Sequence, residues 1–287
     1  MGRKGSSRKD AIGKWSENKL QLLEKYLTAY SIIMNRQKQK WLRSYHYIDA
    51  FAGSGKPKAK DEERFIAGSP LRALQCDPPF DNYWFIELSP WRVAKLQELK
   101  KQFPLLKVDI LECECNELLC KKIITQVTYA SKQRGLVFLD PYGLQVEWET
   151  VKALAKTNTF DVFVNFPLGA ITRLLKRDEP PTGQTAELSN KVLGRTDWIQ
   201  AIYRRSPQLH LFGESVIVRD VIRAEWLARL YSDQIGNLFP YVSKPVIMTN
   251  SKNSPLYALF LVSHNKTAVK IVNNLFGSFE RLRELRR

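Results

Sequence analysis

The sequence predicts an α/β protein built on a doubly wound, mostly parallel sheet, and three observations carry that expectation. Short apolar runs ending in polar or glycine-bearing turns alternate with stretches of helical periodicity. Acidic residues fall at the ends of successive runs. The 287 residues, 44% of them hydrophobic, suffice for one packed core with an insertion.

Residues 1–13 hold Gly, Ser, Lys and Arg with little to bury, so they are expected to form a flexible basic arm. Residues 14–44 follow as a helical cap, because Leu20, Leu23, Leu27, Tyr30 and Met34 recur at the spacing of an amphipathic helix. The core is expected over 45–167 and 241–287. Its strands are predicted at Tyr45–Ala50, Tyr83–Leu88, Leu105–Ile110, Leu136–Asp140 and Phe160–Phe166, with helices over Pro90–Phe103, Asn116–Ser131 and Glu149–Thr157. Residues 168–240 carry longer helical segments, the Pro180-Pro181 turn and scattered Arg and Lys, and predict an inserted helical subdomain for substrate or partner recognition. Tyr241–Met248 and Tyr257–Ser263 predict a hairpin, followed by a helix from Thr267.

The formal net charge is +16, with 45 Lys+Arg against 29 Asp+Glu, and a surface that basic concentrates polyanions through counterion release. Nucleic acid is therefore the first partner expected. No run of about eighteen apolar residues occurs and Met1–Asp10 is polar, so neither a membrane span nor a signal peptide is expected. Cys76, Cys113, Cys115 and Cys120 are too few and too uneven for a disulfide scaffold, which fits a reducing, cytoplasmic compartment. The last three lack the paired spacing of zinc ligands, so no metal is expected.

In a doubly wound sheet, ligands bind beyond the carboxyl ends of the strands. There the sequence places Asp49-Ala-Phe-Ala-Gly-Ser-Gly55, a turn whose Gly53 and Gly55 allow close backbone approach beside the Asp49 carboxylate and Phe51. Without a following Gly-Lys-Ser/Thr it is no phosphate-cradling P-loop, and without Gly-x-Gly-x-x-Gly a nicotinamide dehydrogenase is disfavoured. Glu87 ends the second strand and suits two ribose hydroxyls, since an ionised carboxylate only accepts. Glu114 and Asn116 follow the third strand, where an adenine amino group needs an acceptor. Together these acids favour a nucleoside cofactor. Asp140, Pro141 and Tyr142, after the fourth strand, predict a clamp for a planar amine: oxygens accept its hydrogens while the ring stacks. Asn165-Phe166-Pro167 ends the fifth strand, either lining an acceptor pocket or capping the strand. No Pro-Cys pair follows the fourth or fifth strand, so nitrogen is preferred over pyrimidine carbon as the acceptor. Lys56, Lys58 and Lys60 after the glycine turn, and Arg173, Lys176, Arg177, Arg195, Arg204 and Arg205 in the insertion, are candidate phosphate contacts. Trp198 and Tyr203 among them could stack an unpaired base.

The ordered set Asp49–Gly55, Gly68-Ser-Pro-Leu71, Phe85-Ile-Glu87, Phe138-Leu-Asp-Pro-Tyr-Gly143 and Val164-Asn-Phe-Pro167 resembles the three-Cys-motif partner protein family (TcmP) over roughly residues 15–200. That resemblance implies a Rossmann-like fold of the class I methyltransferase type, S-adenosylmethionine as cofactor, and a separate partner protein bearing a three-cysteine motif. Phe51 stands where many methyltransferases carry a glycine and amino-methylating DNA enzymes often carry Phe. Where those enzymes have Pro-Pro before an aromatic, this chain has the single Pro141 before Tyr142. Two functions are expected in order: a methyltransferase acting on a base amine of DNA or RNA, or a catalytically weak nucleic-acid-binding protein that recruits an iron–sulfur or radical-type enzyme.

Overall fold

The computed structural model describes residues 11–60, 63–176, 179–209, 215–219 and 224–285. Among them, eight strands form one central sheet. In chain order these are β1 (Ser44–Asp49), β2 (Asn82–Glu87), β3 (Val108–Glu112), β4 (Gln133–Leu139), β5 (Phe160–Phe166), β6 (Tyr241–Val242), β7 (Val246–Thr249) and β8 (Pro255–Ser263). Across the sheet they run β6-β8-β5-β4-β1-β2-β3, with β7 also on β8. The first five are parallel; β8 lies antiparallel to β5, pairing Ala258 with Phe166 and Val262 with Val162.

β1, β2, β4 and β5 are buried along almost their whole length because both faces are covered. One face packs on α1 (Lys14–Lys38), α2 (Ser69–Leu74), α3 (Pro90–Lys100) and the final helix, α10 (Lys266–Glu284). The other carries α4, a composite of Cys115–Leu118, a π segment Leu119–Ile123 and Ile124–Gln126, together with α5 (Trp148–Lys156). The insertion's α6 (Leu168–Leu174), α7 (Gly183–Leu193), α8 (Trp198–Ile202) and α9 (Ala224–Gly236) pack on that second face too. Chain order reverses between β1 and β4, which opens a crevice at their carboxyl ends. No helix among the described residues is long and apolar enough to cross a membrane.

Three expectations shift. The third strand starts at Val108, not Leu105: Leu105 is 97% exposed in a turn closed by Leu106 N–H to Phe103 O, and pairing with β2 begins at Val108. The segment 168–240 is not purely helical, since Tyr203–Leu209 and Ser215–Arg219 form an antiparallel ladder. The β-branched run Val216-Ile217-Val218 favours that strand. Finally, Ala11–Ile12, expected within the arm, pair in parallel with Lys58–Ala59.

Candidate functional site

Two neighbouring cavities open at the carboxyl ends of the parallel strands. The first, about 380 Å³, lies between the 51–55 turn, Asp140–Tyr142 and the start of α1, with Tyr257 of β8 on its wall. The second, about 340 Å³, lies between Glu87, Arg92, the 113–115 turn and Gln145. Phe51 and Tyr142 line both, so these two rings form the partition.

Gly53 has a φ of +64°, and a Cβ there would stand 3.6 Å from the Tyr142 hydroxyl, on the partition itself. Its lack of a side chain keeps the turn open to a ligand. Gly55 differs. Its φ is +76°, and a Cβ would come within 2.6 Å of Leu99 Cδ2, so α3 packing fixes glycine there. Asp49 corrects a second expectation: fully buried, it lines neither cavity and instead holds the turn from below. Its carboxylate accepts from Tyr47 Oη at 3.1 Å and Phe51 N–H at 3.3 Å, and also from the Ser69 hydroxyl. Burial pushes its pKa up to about 7 against these hydrogen bonds.

Glu87 stands where the sequence placed it, in the second cavity. Gly53 N–H donates to its Oε2 and Ser89 N–H to its Oε1, both at 2.9 Å, and Arg92 Nη1 stands 3.7 Å from Oε2 as an ion pair, which aims the carboxylate while leaving Oε1 a further lone pair. Glu114 lines the same cavity but also caps α4, accepting from Glu117 N–H at 2.9 Å and Asn116 Nδ2 at 2.7 Å. Burial alone would raise its pKa, yet these hydrogen bonds hold it below the usual carboxylate range. Asn116 lines neither cavity. Its Nδ2 donates to Glu114 Oε1 and Gln145 O, while its Oδ1 accepts from Glu147 N–H and Thr150 Oγ1, so it staples α4 to the loop before α5. The expected adenine acceptor is thus reduced to Glu114 and nearby backbone.

Asp140 reaches the first cavity and is held by two residues. Asn165 Nδ2 donates to Oδ1 at 2.6 Å; Lys19 Nζ lies 2.6 Å from Oδ1 and 2.5 Å from Oδ2. The Lys19 side chain is only 5% exposed. Its ammonium also faces the rings of Trp15 (5.2 Å to the centroid), Tyr257 (5.8 Å) and Phe138 (5.9 Å). Trp15 and Tyr257 stack at 4.9 Å. Pro141 is buried. Tyr142 is 58% exposed, its backbone N–H donates to Gln145 Oε1, and the Arg92 guanidinium stands 4.6 Å from its ring centroid. Asn165 turns inward to Asp140, and its own Oδ1 has no partner among the described residues. Phe166 stacks on Tyr231 of α9 at 3.9 Å.

Lys19, Trp15 and Tyr257 were not singled out in the sequence. The signal was present for Lys19: with Ser16, Leu20 and Leu23 it falls on the buried stripe of α1, where an ammonium needs an acidic partner.

The expected phosphate contacts separate. Lys60 lines the first cavity; Lys56 donates to Gln102 Oε1 and Lys58 lies over Phe65. Lys176 pairs with Glu179 and Arg195 with Asp197, while burial and the charge of Asp140 push the Tyr257 hydroxyl pKa up to about 12 and Arg173 partly offsets them. Arg177 and the side chains of Arg204 and Arg205 lie outside the described residues. Trp198 and Tyr203 correct the stacking expectation. Both are buried, donating to Asn190 Oδ1 and Lys176 O respectively, and they belong to the insertion's core. Among the described residues no cluster of His, Cys, Asp and Glu could hold a metal.

The strand order, the reversed final strand and the ligand crevice define a Rossmann-like fold of the class I methyltransferase type. Neither a protein-family model nor a curated protein matches the chain. In structure it is similar to protein LPL1258 of Legionella pneumophila, of family DUF519, at 13% identity and a TM-score of 0.52, over 92% of this chain and 90% of that one. It is more distantly similar to Thermotoga maritima spermidine synthase, at 9% identity and 0.39 over 85% and 62% of the two chains. For Trm5b of Pyrococcus abyssi the values are 11% and 0.36 over 83% and 48%. At these identities the likeness is one of fold.

Proposed function

We propose that this chain is an S-adenosylmethionine-dependent N-methyltransferase whose acceptor is a base amine of DNA or RNA. The observation that carries this reading is the pairing of two cavities across one aromatic partition. One presents a ribose-type acid, Glu87; the other presents Asp140, a carboxylate already gripping an amine.

The residues present fit the cofactor. Glu87 keeps acceptor capacity, Gly53 leaves the turn open, and the second cavity, bounded by Glu114 and Cys113, falls within the usual size of small-ligand sites. When bound, S-adenosylmethionine supplies an electrophilic methyl group on a sulfonium. What the chain supplies is placement. Asp140 uses three of a carboxylate's roughly four acceptor positions on Lys19 and Asn165, leaving one on Oδ2 for an acceptor amine hydrogen. Lys19 fixes the direction of the Asp140 carboxylate, and a carboxylate so held orients a nitrogen lone pair by taking amine hydrogens from the other side. Tyr142 and Phe51 offer ring faces for a planar base, and Lys60 a phosphate contact at the mouth. Reaching such an amine in a duplex requires the base to be flipped out.

The motif resemblance to the three-Cys-motif partner family supports the same reading and brings a three-cysteine partner protein with it. One observation favours a second reading: Asp140 is neutralised by the chain's own Lys19, which suits a catalytically weak protein that binds nucleic acid and recruits its partner. Transfer of labelled methyl groups to mixed DNA and RNA, with and without partner, separates them. Asp140→Ala is expected to lower transfer by at least about a hundredfold while S-adenosylhomocysteine binding persists. Unchanged transfer would remove the assignment, and no transfer by the folded wild type under any condition would favour the recruiting role.

A further inference from the structure

A third cavity lies at the other end of the sheet. It encloses about 750 Å³ between the end of α1, the amino ends of β4 and β5, and the start of α10. Arg134 on its wall and Asp140 at the far end of β4 are separated by roughly 20 Å of extended strand, so this cavity is distinct from the candidate active site.

Its chemistry centres on Arg134. The guanidinium lies 3.8 Å from the Tyr129 ring centroid and 4.7 Å from that of Trp41. Its Nη1 donates to Gln133 O and it also hydrogen-bonds the Tyr129 side chain, which leaves part of its five-donor fork for a further acceptor. None of the ion pairs among the described residues includes it. The nearest acid, Asp161, is committed elsewhere: Tyr26 Oη donates to Oδ2 at 3.1 Å and Ser263 Oγ to Oδ1 at 2.5 Å. Burial raises the Asp161 pKa to about 6, and Asp161 and Arg134 act on each other through space without forming an ion pair. Also on the wall are Lys266 and His264, whose buried Nδ1 has no partner among the described residues. The remaining surface is rich in rings, with Tyr30, Phe160 and Tyr241 joining Trp41 and Tyr129.

A half-buried guanidinium outside any ion pair among the described residues, a neighbouring imidazole and ammonium, a single acid already accepting from Tyr26 and Ser263, and aromatic walls in a space of nucleotide size fit an anion attached to a planar ring. We propose that this cavity binds a phosphorylated nucleoside, with phosphate on Arg134, His264 and Lys266 and the base against the aromatic wall. The source is either a free nucleotide or the phosphorylated end of a nucleic acid strand. The proposal does not depend on the methyltransferase reading.

Calorimetric titration of the full chain with AMP, in saturating S-adenosylhomocysteine to exclude adenine binding at Glu87, tests it. One equivalent of AMP is expected to bind. Affinity should fall at least about tenfold in Arg134→Gln, severalfold in Lys266→Gln, and not at all in Glu87→Gln. Because Arg134 is half-buried, Lys266→Gln and Trp41→Ala carry the test if Arg134→Gln does not fold. A 5′-phosphorylated oligonucleotide binding more tightly than its 5′-hydroxyl form would support a strand end as the source; equal binding of the two beside AMP would support the free nucleotide. Absence of binding by AMP and by the phosphorylated strand overturns the proposal. So does inorganic phosphate binding as tightly as AMP, or affinity lost in Glu87→Gln and kept in Arg134→Gln.

Discussion

Lys19 and Asp140 form a mutually dependent pair, since neither largely buried charge is favourable alone. Removing one partner leaves the other desolvated, so Lys19→Met is expected to destabilise the fold by about 2–3 kcal/mol in urea unfolding. Asp140→Asn added to Lys19→Met should return part of that loss, with a coupling of about 1–3 kcal/mol; additive effects would show that the pair is not coupled. Asp49 yields a pH prediction. Burial raises its pKa to about 7 in the folded chain, far above the ordinary carboxylate value it has when unfolded. Between about pH 4 and 7 the unfolded state therefore sheds this proton first, and the native state loses stability as pH rises. Asp49→Asn should remove that decline, gaining on wild type by on the order of 1 kcal/mol per pH unit across the window and levelling above it. A difference that stays flat with pH would contradict the buried assignment. At this scale the sequence was half legible. Glu87 and Asp140 stand where strand ends predicted them, at the carboxyl-end crevice of the sheet. Asp49 also ends a strand and Asn116 follows one, but their direction was set by Ser69 and by Gln145 and Thr150, partners remote in sequence.

The glycine turn acts as an element, not as two equivalent residues. Gly55→Ala must adopt a left-handed φ and also displace Leu99, and should cost about 2–4 kcal/mol; Leu99→Ala in the same chain should relieve the steric part. Gly53→Ala makes only an ordinary contact with the Tyr142 hydroxyl at 3.6 Å and should cost about 1 kcal/mol for its left-handed φ, while weakening cofactor binding because its methyl group projects toward Tyr142. Thermal unfolding of the set separates the two, and equal losses at both positions would contradict the division of roles. The strands were legible because a covered parallel sheet imposes apolar runs of fixed length. The ladder within 203–219 was hidden by a basic, polar first strand, and the β3 boundary by Leu105, an apolar residue that the fold leaves in water.

At the scale of the whole molecule, the sheet presents chemistry at both ends within a chain of net charge +16. Nucleic-acid binding, if it uses the mouth at Lys60, should weaken steeply with salt, and Lys60→Gln should reduce the logarithmic slope by about 0.9. A slope near zero would remove phosphate contact from the account. The central claim is that the cavity beside Glu87 receives the nucleoside of S-adenosylmethionine and the Gly53 turn its remainder. Calorimetric titration of wild type and Glu87→Ala with S-adenosylhomocysteine tests it most directly. Micromolar, one-to-one binding by wild type that falls at least about tenfold in a folded Glu87→Ala variant is the expected result; no binding by folded wild type, or equal binding by both, would contradict it.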